Sequence, residues 1–127
     1  MTKGKKKAKS KRSVLIVEDE EITSMFEKII LEQEGYEVDL AINGLEGLEK
    51  IKQKEYDVIL CNIEMPRMQG DELYQKVNKL NQGLAEKIIF VSGTIDAFIK
   101  STGNMFLVKP FTLQQLVQTV KNFLQST

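Results

Sequence analysis

Histidine is absent from the 127-residue sequence, and cysteine occurs once, at Cys61. These two scarcities exclude a disulfide, a Cys/His zinc site, a Ser-His or Cys-His nucleophile pair and a phosphohistidine donor. Tryptophan is missing as well, and proline occurs only at Pro66 and Pro110. Long apolar runs are lacking: residues 14–17, 58–61 and 88–91 are four-residue stretches, where a bilayer span needs roughly 20. No transmembrane segment is therefore expected, and no signal-peptide pattern opens the chain. A lone thiol suits a reducing compartment, so the expected location is cytoplasmic. With 42% hydrophobic and 28% charged residues, the composition is that of one globular domain. Any site has to be built from carboxylates, amides, hydroxyls and lysine.

Net charge is also lacking, with 18 basic and 18 acidic residues, but the balance hides an asymmetry. Residues 1–12 hold seven of the bases, from Lys3 to Arg12, and no acid; residues 13–127 carry a net charge of −7. A polycationic arm with almost nothing to bury is expected to be disordered. Its plain reading is a solubilising tail. Electrostatic contact with nucleic acid or an anionic membrane carries less weight, and an acidic body does not favour nucleic acid.

From residue 13 onward, short apolar runs alternate with segments of helical period, the signature of repeated βα units around a parallel sheet. Strands are expected at 14–17, 36–40, 58–61, 88–91 and 105–108, the second at a sheet edge because Glu37 and Asp39 alternate with apolar residues. The first helix carries the stripe Ile22, Met25, Phe26, Ile29 and Ile30 and stops at Gly35. Asn43 with Glu46 caps the second helix, and Leu73, Val77 and Leu80 mark the third. Ile95, Phe98 and Ile99 suggest a short fourth helix; Thr112 with Gln115 forms a capping box for the last. Five strands and five helices in strict alternation give an α/β, flavodoxin-like, doubly wound (βα)5 sheet of order 2-1-3-4-5 in a three-layer α/β/α sandwich.

In such sheets ligands bind beyond the carboxyl ends of the strands. Strand one ends in Glu18, Asp19 and Glu20, strand three in Asn62, strand four in Ser92 and strand five in Lys109 and Pro110. Two adjacent carboxylates facing an amide, a hydroxyl and a lysine suit Mg²⁺ together with a phosphoryl group. Taken alone, the acidic run reads as solvated charge at a helix N-terminus; its coincidence with the other strand ends favours the site.

Over roughly residues 13–125 the sequence resembles the CheY-like receiver domain of two-component response regulators. The resemblance rests on Val14-Leu-Ile-Val-Glu-Asp-Glu20, Asp57-Val-Ile-Leu-Cys-Asn-Ile-Glu-Met-Pro-Arg-Met-Gln-Gly70, Val91-Ser92 and Phe106-Leu-Val-Lys-Pro-Phe-Thr112. It implies a phosphorelay signalling module rather than an enzyme, with a sensor histidine kinase or phosphotransfer protein upstream and an output protein downstream. It further implies that Glu18 and Asp19 hold Mg²⁺, with Asp19 the direct ligand, and that Glu64 offers its backbone carbonyl. Ser92 would bond the phosphoryl group, Lys109 would pair with it, and Phe106 would be the aromatic switch. Read without the resemblance, Phe106 is equally well a core residue, and Cys61 is core.

Asn62 is the main departure. The family has Asp at this position, the carboxylate that becomes an acyl phosphate, and a carboxamide is no useful nucleophile. The chain as written is therefore not phosphorylatable there, and one anionic ligand fewer weakens Mg²⁺ binding. Two explanations compete: a recent or introduced change silencing an ordinary receiver, toward which the presence of Asp19, Ser92 and Lys109 weighs, or a natural pseudo-receiver acting as a phosphorylation-independent interaction module. Smaller departures are Gln69, Gly93 and the 13-residue interval between Ser92 and Phe106, which leaves the fourth helix short.

Overall fold

The computed structural model describes residues 11–65 and 68–126. Residues 1–10, most of the basic arm for which disorder is the expectation, and the Pro66-Arg67 pair lie outside the described residues. Three strands, β1 (Ser13–Val17), β3 (Val58–Asn62) and β4 (Ile88–Ser92), are buried at every position. Continuous apolar runs form such strands because helices cover both faces of the sheet. At the edges, β2 (Glu37–Ala41) and β5 (Phe106–Val108) are only partly buried. All pairings are parallel, and the order β2-β1-β3-β4-β5 is the doubly wound one expected from the sequence.

Alternating side chains of the strands feed two cores. Leu15, Val17, Ile59, Cys61, Ile88 and Phe90 pack on one face with Leu48 and Ile51 of α2 (Gly44–Gln53), Leu73 and Val77 of α3 (Gly70–Leu80) and Ile99 of α4 (Ala97–Thr102). Val14, Ile16, Val58, Leu60, Ile89 and Val91 pack on the other with Leu31 of α1 (Glu21–Gln33) and Leu116, Val120 and Leu124 of α5 (Leu113–Gln125). Tyr74, Phe90 and Phe98 meet at ring-centroid distances of 5.5 to 5.8 Å. This contact pins the short α4 to α3 and β4.

Capping residues behave as the sequence indicates, with small differences. Thr112 and Gln115 form the reciprocal capping box of α5. Asn43 accepts from the Glu46 N–H, but the Glu46 carboxylate accepts from the Ile42 N–H and not from the cap residue. One further helical turn, Gln82–Ala85, stands between α3 and β4 and breaks the strict alternation of five helices. Asn81 caps it by accepting from the Gly83 N–H at 2.8 Å. Four residues are too few to carry a helical period.

The face of α1 differs from expectation. Ile22, Met25, Phe26 and Ile29 are 49 to 85% exposed, and the helix turns Ser24, Glu27 and Leu31 inward instead. Leu31 is completely buried in the second core, and three residues join β1 to α1, so the phase of the helix is set by its two ends and not by its most apolar stripe.

Glycine contacts separate a constrained position from a free one. A Cβ at Gly70 would lie 2.7 Å from the Asn62 carbonyl oxygen and 2.8 Å from the Ile63 Cα, whereas one at Gly93 would meet nothing within 4 Å, at a φ that is not positive. Gly70→Ala is expected to destabilise the fold by about 1–3 kcal/mol through overpacking against backbone. Gly93→Ala is expected to stabilise it by about 0.4–1 kcal/mol through the unfolded chain. Urea unfolding of the two variants checks both signs.

Candidate functional site

The site lies where β1, β3, β4 and β5 end. Beyond Val17 the chain stays in register for one more residue, since the Glu18 N–H donates to the Ala41 carbonyl at 3.0 Å. That bond holds Glu18 at 4% exposure, while Asp19, next in the chain, is exposed. On the loop after β3, the Ile63 N–H donates to the Val91 carbonyl at 3.0 Å and the Gly70 N–H to the Ile63 carbonyl at 2.9 Å. Met65 is buried beneath this loop, which fixes the Glu64 carbonyl. On the far side, the Lys109 N–H donates to the Ser92 carbonyl at 2.8 Å, and the Lys109-Pro110 peptide is cis.

Asn62, 4% exposed, is the centre of the cluster. Its Nδ2 faces three acceptors: Glu18 Oε2 at 3.2 Å, Asp19 Oδ1 at 3.3 Å and the Glu64 carbonyl at 3.2 Å. Its Oδ1 accepts from Lys109 Nζ at 3.0 Å. Charge dictates this orientation. The flipped amide would turn an NH2 group toward an ammonium and a carbonyl oxygen toward two carboxylates. The amide nitrogen thus lies where a cation held by these three oxygens would lie.

Burial raises the Glu18 carboxyl above the usual range; the Glu20 N–H, donating to Oε2 at 3.0 Å, and the Lys109 ammonium oppose that, while the neighbouring Asp19 adds to it. Among the described residues, no group of three or more His, Cys, Asp or Glu side chains is placed to hold a metal ion. The oxygen donors are two carboxylates, the Glu64 carbonyl and, once turned, the Asn62 amide oxygen. A cation that takes few protein oxygens and keeps several waters fits that set, at the cost of the Asn62–Lys109 bond.

The structure therefore brings Glu18, Asp19, Asn62, Glu64 and Lys109 together. Ser92 lies one strand away, 2% exposed, with its Oγ accepting from the Thr94 N–H at 3.2 Å. Phe106 opens β5 and is 43% exposed, so it is not a core residue. Cys61 is fully buried and its thiol is pushed up to about 12, chiefly by burial; it is core, as the sequence indicates.

A family model of the response regulator receiver domain matches residues 14–121. The chain belongs to this family. Among the relatives of this receiver domain is the response regulator ArlR of Staphylococcus saprophyticus, 32% identical over 117 residues, which cover 88% of this chain and 52% of that protein. Another is the sensor kinase CckA of Brucella abortus, 38% identical over 120 residues, 89% of this chain and 12% of that one. A CheY-like receiver domain protein from Methanospirillum hungatei superposes with a TM-score of 0.84 at 34% identity, covering 92% of this chain and 96% of that one. This receiver domain spans about half the length, or less, of these curated relatives. No helix of its described residues is long and apolar enough to cross a membrane.

Sequence reasoning did not single out Glu27. It lies on the inward face of α1 at 7% exposure, and burial, with Glu18 adding and Lys109 opposing, pushes its carboxyl from 4.5 up to about 7. The available signal was its spacing, three after Ser24 and four before Leu31. A carboxyl whose folded pKa is raised leaves stability unchanged below the unfolded value and lowers it as pH rises, until both states are ionised. The stability of the chain relative to Glu27→Gln is expected to fall between pH 4.5 and about 7 and then level off, by up to about 3 kcal/mol. Urea unfolding of both proteins across that range reads the difference.

Proposed function

We propose that this receiver domain serves a two-component phosphorelay, meeting a sensor histidine kinase or phosphotransfer protein, and that Asn62 occupies its phosphoacceptor position in a form that takes no phosphoryl group. The supporting observation is the Asn62 side chain itself, hydrogen-bonded to Lys109 through one end and to Glu18, Asp19 and the Glu64 carbonyl through the other. An Asp in its place sets a carboxylate oxygen beside the Lys109 ammonium. Attack of that oxygen on phosphorus, with departure of the donor's imidazole nitrogen, forms an acyl phosphate.

Lys109 Nζ and Ser92 Oγ are the groups that take the phosphoryl oxygens, and the loop carrying Ser92, together with Phe106, is the element whose arrangement the new contacts bias. Receiver domains generally bind Mg²⁺. Here Asp19, Glu18, the Glu64 carbonyl and the Asn62 amide oxygen would hold it, where it supplies charge neutralisation for the phosphoryl oxygens. The exposed apolar face of α1 beside the site, Ile22 to Ile29, suits a docking protein partner. The role is signalling and not turnover, and it carries a cytoplasmic location with it.

A second reading is a phosphorylation-independent interaction module. It is favoured by the amide nitrogen, which satisfies the acidic pair with no cation.

Intact mass after incubation with Mg²⁺ and acetyl phosphate separates the two. One phosphoryl group is expected on Asn62→Asp and none on the chain as written; failure of both to gain mass favours the interaction module. Restoring the carboxylate is also expected to tighten Mg²⁺ binding by on the order of tenfold, one anionic ligand being added. Titration of both proteins with the metal measures it.

A further inference from the structure

Between α1 and the loop at residues 109–113 lies a cavity of about 750 Å³, within the roughly 300–1,000 Å³ of small-ligand pockets. Its apolar lining comes from Ile22 and Phe26 of α1 and from Phe111 and Leu113 of the loop, and Glu18, Glu20, Glu27 and Lys109 supply its charge. Lys109 is already engaged by the Asn62 amide oxygen, and Glu18 accepts from Asn62 and from the Glu20 N–H. Glu27 is different. At 7% exposure it lines the cavity and makes no hydrogen bond or ion pair among the described residues. A carboxylate removed from water without a donor is costly, and a charge-assisted bond from a bound cation would offset that cost.

We propose that this cavity binds an ammonium or guanidinium group carried on an apolar body, with Glu27 as its anion and Phe26 and Phe111 against its stem. Three carboxylates against one engaged lysine disfavour an anion. Apolar walls, and the absence among the described residues of three carboxylates grouped so that they could hold a metal ion, disfavour a hydrated divalent metal. Phe26 and Phe111 line the cavity, and aromatic rings attract cations. The proposal stands whether or not position 62 ever carries a phosphoryl group. The same chemistry is available from a free organic amine and from an arginine or lysine side chain of a docked protein.

Amide NMR titration of the full chain, in EDTA at pH 8, tests it with benzylamine, benzyl alcohol and N-acetyl-arginine amide. Saturable shifts at Phe26, Phe111 and Leu113 are expected with the cations, with benzylamine preferred over benzyl alcohol by at least about tenfold, the size of one charge-assisted hydrogen bond. Glu27→Gln is expected to abolish that preference, and Phe26→Ala to weaken both aromatic ligands. Tighter binding of the arginine derivative than of benzylamine assigns the site to a protein side chain, and the reverse assigns it to a free amine. Equal affinity for benzylamine and benzyl alcohol, a preference that survives Glu27→Gln, or no saturable shift with either cation overturns the proposal. The Glu27 side-chain carboxyl ¹³C resonance of the unaltered chain gives a reading that needs no variant: it must move with benzylamine and stay with benzyl alcohol.

Discussion

Parallel strands covered on both faces have no room for polar side chains along their length, and here that confines buried chemistry to one rim of the sheet. Of the six polar residues that are buried among the described residues, Glu18, Asn62 and Ser92 stand at the carboxyl ends of β1, β3 and β4. Each has left water and has to recover its hydrogen bonds: Glu18 and Asn62 meet across neighbouring strand ends, and Ser92 accepts from the Thr94 N–H of its own loop. The crossovers do the rest. Because β3 is central and β1 lies beside it, the acidic pair and the amide meet directly, and Lys109 reaches them from beyond the strand on the far edge.

Asn62 resolves an electrostatic conflict that the rim would otherwise carry. Two carboxylates and a lysine face one another around the buried amide, and the carboxamide presents donors to the first two and an acceptor to the third. A neutral side chain thereby links opposite charges without adding to either. An aspartate in the same place would keep the contact with Lys109 and turn the other half into repulsion, which is the condition under which a divalent cation is strongly drawn in. With asparagine at this position, the charged groups of the rim are joined through one neutral side chain.

Much of this was legible in the sequence because the features are local. Four-residue apolar runs announced the buried strands, Glu37 and Asp39 the edge strand, and the Thr112–Gln115 spacing the start of α5. Placing Glu18, Asp19, Asn62, Ser92 and Lys109 at one rim needed only the rule that parallel strands share their carboxyl ends. The orientation of α1 could not be read that way. Its period was correct, but the face that turns inward is chosen by Leu31 and by the short connection from β1, and both act through tertiary contacts. For the same reason Glu27, a charged residue in an apparently polar position, went unremarked although it is buried. The helical turn at 82–85 is shorter than any period can detect.

The hydrogen bond from the Ile63 N–H to the Val91 carbonyl protects the identity of Asn62 over time. Spontaneous deamidation of asparagine proceeds when the backbone nitrogen of the next residue attacks the side-chain carbonyl carbon and closes a succinimide ring. That nitrogen belongs here to Ile63, whose β-branched side chain crowds the approach and whose N–H is tied into the ladder between β3 and β4. The amide under attack is itself 4% exposed and held at both ends. An ageing preparation of the folded protein accordingly keeps its carboxamide, and any aspartate that arises there dates from an unfolded interval and not from the native state.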